Sequence, residues 1–251
     1  MTSSNAALNA KVLITNPKNS KLSVEAVLAD NDGNMVKTAV FDVVDNSADI
    51  NFTNITNPNL WDTKNPYLYN LTVALVKDGK TIDEVNENVG FRWFEFKDFG
   101  AFYLNGKRLK LRGTHRHEEH ARVGSAMSNI QHRTDMELIK EMGANFVRLA
   151  HYPQDPEIYK ACDELGILVW DELPWCRGGL GNDAWKKNTK YMLKEIIEQN
   201  YNHPSVILWS LGNEIYWLPD FEGGDDIGQL KDYLSEPVSY THLTLPTIAK
   251  V

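Results

Sequence analysis

From about residue 8 to residue 93 the chain alternates apolar and polar side chains with a period of two. Residues 11–15, 22–28, 35–41 and 69–75 each read as a short strand. Turn formers separate them, as in Asn31-Asp32-Gly33-Asn34 and Asp78-Gly79-Lys80. Short strands at this spacing predict an all-β sandwich. Residues 61–69, Trp-Asp-Thr-Lys-Asn-Pro-Tyr-Leu-Tyr, lead into its penultimate strand.

The pattern changes from about residue 109. Residues 109–113 form a first short strand, followed by a loop rich in His and Arg. A helix is expected over about 134–142, with Thr134 or Asp135 near its start and Gly143 closing it. Residues 144–151 supply the second strand. Asp155-Pro156 then gives an N-cap followed by proline in the first helical turn, and Gly166 gives the stop. Residues 167–172 are the third strand, a helix covers about 185–201, and 206–211 form a fourth strand. That last run is apolar throughout, as expected of a strand buried on both faces in a parallel sheet. Four successive β/α units match the first half of an eight-stranded (β/α)8 barrel, the TIM barrel. A doubly wound sheet fits less well, because no glycine-rich phosphate loop follows the first strand.

Composition narrows the function. The apolar fraction of 42% is ample for packed cores and excludes a disordered chain. A net charge of −8 disfavours nucleic acid and anionic membrane as partners, since both require a basic face. Cys162 and Cys176 form neither a disulfide framework nor a zinc pattern. No apolar stretch approaches the roughly 20 residues that span a bilayer.

Each strand tip is followed by ionisable groups: His115, Arg116, His117, Glu118, Glu119 and His120 after the first, Arg148 and His151 on the second, Asp171-Glu172 on the third, and Asn213-Glu214 after the fourth. In a parallel barrel these converge on one rim, which is costly unless the groups pair or react. Glu214 suits general acid/base work on an acetal, with Asn213 donating to a sugar hydroxyl. Arg148, on a strand otherwise apolar, holds either a catalytic carboxylate or a structural one such as Glu172. His115 and His117 raise a metal-dependent hydrolase as a competitor, which the interleaved Arg116 charge opposes.

Five motifs carry a resemblance. They are Asn105-Gly106-Lys107-Arg108-Leu109-Lys110-Leu111-Arg112-Gly113, His115-Arg116-His117-Glu118-Glu119-His120, Val147-Arg148-Leu149-Ala150-His151-Tyr152-Pro153, the run from Cys162 to Asp171-Glu172, and the run from Asn202-His203-Pro204 to Asn213-Glu214. Together and in this order they resemble glycoside hydrolase family 2, nearest its β-galactosidases. The resemblance implies an immunoglobulin-like β-sandwich over 1–95, the N-terminal half of the catalytic barrel over 96–234, and a retaining hydrolysis of β-galactosides. A β-glucuronidase or β-mannosidase, and a non-catalytic carbohydrate-binding module, are the alternatives. It casts Glu214 as acid/base, Asn213, His117 and His151 as sugar-hydroxyl binders, Arg148 as the residue that orients the nucleophile, and Asp171 and Glu172 as supports. The implied partner is a β-linked oligosaccharide or glycoside; no cofactor is implied, and homo-oligomerisation of the full-length enzyme and cellular location stay open.

The chain also departs from the family. Many β-galactosidases follow the third-strand Asp-Glu with Glu and His residues that bind Mg²⁺. Here Leu173-Pro174-Trp175-Cys176-Arg177-Gly178 stands instead, so no metal site is carried over. The family's front jelly roll and its seventh-strand nucleophilic Glu are not found, and residues 235–251 resemble translated adapter sequence. The expectation is a fragment, inactive alone.

Overall fold

The computed structural model describes residues 3–15, 20–98, 100–177 and 179–215. The expectation for residues 235–251 lies outside these. The described residues divide into two compact units: 3–110 with Tyr201–Pro204, and Leu111–Asn200 with 205–215.

In the first unit, β1 (Asn5–Leu13) pairs antiparallel with β4 (Ser47–Thr56). A four-stranded antiparallel sheet runs β3 (Met35–Asp42), β2 (Ser23–Ala29), β5 (Tyr69–Lys77), β6 (Lys80–Val89). The period-two pattern does the work: Val24, Ala26 and Leu28 on β2 are buried and sit opposite Leu75, Val73 and Leu71 of β5. Leu8, Ile50 and Phe91 join them in one apolar cluster. Asp78 and Gly79 both adopt positive φ, +51° and +74°, the backbone a two-residue hairpin needs to match strand twist. The edge strand β6 is almost wholly exposed and carries Asp83, Glu84 and Glu87, charges that discourage edge-to-edge pairing. A small antiparallel sheet of β7 (Phe94–Phe96), β8 (Phe102–Leu104) and β9 (Lys107–Leu109) completes the unit.

The second unit repeats strand and helix: β10 (Gly113–Arg116), α1 (Asn129–Glu141), β11 (Phe146–Leu149), α2 (Pro156–Leu165), β12 (Leu168–Glu172), α3 (Asp183–Asn200) and β13 (Val206–Ser210). The four strands are parallel and adjacent in sequence order. This is an immunoglobulin-like sandwich followed by the first half of a TIM barrel, as the sequence implied. Val147, Leu149, Val169 and Val206 face the helices and pack on Met136, Ile158, Tyr159 and Cys162.

Two boundaries differ from expectation. The first barrel strand lies later than 109–113: Lys107–Leu109 belongs to the small antiparallel sheet, and His115 and Arg116 are on the barrel strand itself. Helix α1 begins five residues earlier than Thr134, because Ser128 and Gln131 form a capping box that satisfies the first-turn amides. Helix α2 starts and stops at the expected Asp155 cap and Gly166.

Candidate active site

The strand tips β11, β12 and β13 place Arg148, Glu172 and Asn213 within one hydrogen-bonded group. Glu172 is fully buried, and its carboxylate is clamped by Arg148 through Nε at 3.0 Å and Nη2 at 2.7 and 2.8 Å. His151 Nδ1 lies 2.7 Å from Glu172 Oε1 and 3.2 Å from Arg148 Nη2. One ring nitrogen cannot both donate and accept; the shorter carboxylate contact assigns the proton to Nδ1, which donates to Glu172. That leaves His151 Nε2 without a hydrogen bond among the described residues, turned over to whatever occupies the rim. Arg148 Nη2 also donates to Asn213 Oδ1 at 2.9 Å. The amide is thereby oriented, with its Nδ2 near Cys176 Sγ at 3.4 Å.

His117 stands edge-on to His151, ring centres 5.1 Å apart, and to His115 at 5.8 Å. The ring nitrogens of His115 and His117 have no hydrogen-bond partner among the described residues, so both imidazoles remain available to a ligand. Arg148 stacks over Trp170 at 4.8 Å, which fixes the guanidinium plane from below.

Glu214 follows Gly212, whose φ of +155° brings the chain close to the loop after β12. A Cβ at Gly212 would lie 2.8 Å from the Trp175 carbonyl oxygen, so a side chain there would push the two loops apart. Their approach is sealed by Asn213 N–H donating to Trp175 O at 2.8 Å and Arg177 N–H donating to Asn213 O at 2.9 Å. Arg177 and Glu214 both have left-handed backbones, φ +59° and +51°, a sparsely populated state for such residues. Their side chains meet, Arg177 Nε to Glu214 Oε2, at 2.9 Å.

Asp171 is not part of this rim. It is fully buried on the helix side, where Asn200 Nδ2 donates to it at 3.1 Å. Burial and the adjacent Asp171 charge hold the Tyr159 hydroxyl firmly protonated. Arg116 is likewise turned away from the rim. It is buried and joins Asp135 at 2.8 Å, Gln154 Oε1 at 2.6 Å and His132 Nδ1 at 3.1 Å, tying β10 to α1 and to the loop before α2. Sequence reading missed this bolt and the part played by Arg177. A charged residue between two rim-facing histidines on a strand must point to the opposite face, and that signal could have found Arg116. Among the described residues no group of three or more His, Cys, Asp or Glu side chains is arranged to hold a metal.

The parallel sheet collects an Arg-held carboxylate, open imidazoles and an Asn-Glu pair at its C-terminal rim, the end at which (β/α)8-barrel enzymes carry their chemistry. Two sequence profiles match: "Glycosyl hydrolases family 2" over residues 1–92 and "Glycosyl hydrolases family 2, TIM barrel domain" over residues 94–241. The chain belongs to glycoside hydrolase family 2. It is 66% identical over 242 residues to a putative β-glucuronidase of Formosa agariphila, covering 96% of this chain and 29% of that protein. It is 41% identical over 156 residues to a β-galactosidase of Thermoanaerobacter pseudethanolicus, covering 62% of this chain and 21% of that one. The crystal structure of Parabacteroides merdae β-glucuronidase with glycerol in its active site superposes with a TM-score of 0.89 at 42% identity, over 96% of this chain and 31% of that one. The chain thus spans less than a third of the length of these relatives.

Proposed function

We propose that this chain supplies the proton donor and part of the sugar-binding rim of a retaining β-glycosidase, and that its substrate is a β-glucuronide. The observation that carries the reaction is the Arg148–Glu172–His151–Asn213 network, which delivers Asn213 and Glu214 together at one strand tip. Glu214 as a carboxylic acid protonates the leaving oxygen, then as a carboxylate takes a proton from the attacking water. Asn213 Nδ2 and the open nitrogens of His117 and His151 are placed to bind sugar hydroxyls. Retention needs a second carboxylate about 5–5.5 Å from the first. Glu172 does not serve, because it is buried and held by Arg148 and His151. The nucleophile therefore comes from outside the described residues, and the chain alone is expected to bind a glycoside without turning it over.

The sequence reading favoured a β-galactoside. What supports a uronide instead is the 66% identity to a putative β-glucuronidase across nearly the whole chain, against 41% over a shorter stretch for the β-galactosidase. Titration calorimetry of the chain with methyl β-D-glucuronide and methyl β-D-galactoside tests both points. Tighter glucuronide binding, weakened at least about tenfold (1.4 kcal/mol) by Asn213→Ala, is the expected result. Preference for the galactoside would return the specificity to the first reading. No binding of either sugar would overturn the proposal, and turnover by the chain alone would overturn the expectation that the nucleophile comes from outside the described residues.

A further inference from the structure

The loop after β12 and the loop after β13 are joined by a short parallel ladder that runs on beyond the strands. Leu173 N–H donates to Ser210 O, Asn213 N–H to Trp175 O, and Arg177 N–H to Asn213 O, with Cys176 opposite Asn213. The ladder ends in two left-handed residues, Arg177 and Glu214, and it is this shared backbone turn that aims their side chains at each other. Arg177 Nε then lies 2.9 Å from Glu214 Oε2. Both side chains are about half exposed, so the pair adds little to stability. Its placement is the informative part: a permanent cation is held against the carboxylate cast as the proton donor.

The donor set does not fit Mg²⁺ at this position. Mg²⁺ demands oxygen ligands in near-octahedral geometry. The loop beside Glu214 offers instead a thiol, a soft ligand, and a guanidinium that cannot lose its proton. A divalent ion on Glu214 would sit against that fixed positive charge. We infer that Arg177 is a positioning residue for Glu214, serving as its built-in cation partner where a metal ion is excluded. The inference rests on reading Glu214 as the proton donor; the ion pair itself does not. It is consistent with the departure of residues 173–178 from the metal-binding sequence that many β-galactosidases carry there.

The test uses the full chain labelled with ¹⁵N at arginine. The Arg177 Nε–H signal, assigned by its loss in Arg177→Lys, is expected to be displaced from the free-guanidinium position and slowed in exchange with water. Glu214→Gln should return it to the free position while the Arg148 Nε–H signal stays in place as the control for an intact rim. Arg177→Lys should keep the backbone signals of Asn213 and Glu214 where they are, since the cation is retained, whereas Arg177→Ala should move them. Millimolar Mn²⁺, as a paramagnetic stand-in for Mg²⁺, should broaden neither residue. An Arg177 signal indifferent to Glu214→Gln would overturn the inference. So would saturable Mn²⁺ broadening at Glu214 that Glu214→Gln removes. The two readings fail separately: absent glycoside binding strikes the proposed function, and an uncoupled Arg177 strikes the ion pair.

Discussion

The sandwich and the parallel-sheet unit bury their side chains under opposite rules. Among the described residues the sandwich unit hides one polar side chain, Thr63, and fills its interior with Leu, Val, Ile, Ala and aromatic groups. The parallel-sheet unit buries Arg116, His132, Gln154, Asp163, Asp171, Glu172 and others in a domain of similar size. Burying a charge without a partner is prohibitive, so Arg116, Asp163, Asp171 and Glu172 are each held by specific contacts. The sandwich is stabilised by area removed from water, the other unit in addition by pairs that only one geometry satisfies. Chemistry belongs to the second kind, because a site needs polar groups held still.

The largest expected effect tests that contrast at Glu172. Glu172→Ala leaves the Arg148 guanidinium and the His151 ring without their anion, and breaking such a pair costs about 3–5 kcal/mol. Arg148 keeps some contact with water, a quarter of its side chain being exposed, so the lower end of that range is expected. Native-state hydrogen exchange at β12 amides would read the loss directly. Replacing both partners, as Arg148→Met with Glu172→Met, should restore most of the protection while abolishing glycoside binding. If the double variant were as unstable as the single one, the network would be structural in origin and the contrast would fail.

Next in size is Leu71→Ala in the sandwich. Leu71 is fully buried opposite Leu28, and its truncation should cost about 2–5 kcal/mol through lost transfer energy and a residual cavity. The loss should appear in β2 and β5 amides alone, and glycoside affinity should not change. A drop in affinity would show the sandwich to be part of the site after all.

The same contrast explains what could be read from the sequence. Apolar residues announce themselves by period, so β2, β5, β11, β12 and β13 were found, and Asp155-Pro156 with Gly166 fixed α2 at both ends. Polar interiors have no period. The start of α1 was legible too: Ser128 with Gln131 three residues on has the capping-box spacing, and the expected start at Thr134 missed it. Of the rim residues, Arg148, His151, Glu172 and Asn213 come together in one network, while Glu214 reaches it only through its neighbour and Asp171 turns to the helices. The pairing of Arg177 with Glu214 depends on two left-handed residues 37 positions apart. Nothing local in either loop encodes that meeting; it follows from the register of β12 against β13.

The smallest effect concerns a carboxylate of the sandwich that is held in the open rather than buried. Asp30 accepts hydrogen bonds from the amides of Asp32 and Asn34 and from the Asn34 side chain, at 2.8 to 3.0 Å. These bonds, the Asn34 side chain first, hold its carboxyl below the ordinary carboxylate value. A carboxyl depressed in the folded state binds its proton more readily when unfolded. Its contribution is therefore complete above the unfolded value of about 3.9 and is lost as pH falls through the depressed folded value. Asp30→Asn keeps an acceptor for the two amides and removes the one facing Asn34 Nδ2. At about pH 7 the variant should open slightly more easily at β2 than the wild type, and at about pH 2 the two should coincide. Because Asp30 is solvent-exposed, the gap should also shrink with added salt, unlike that at Glu172. A gap that survives both acid and salt would mean that Asp30 acts through packing, and that this unit, too, stores stability in a fixed polar contact.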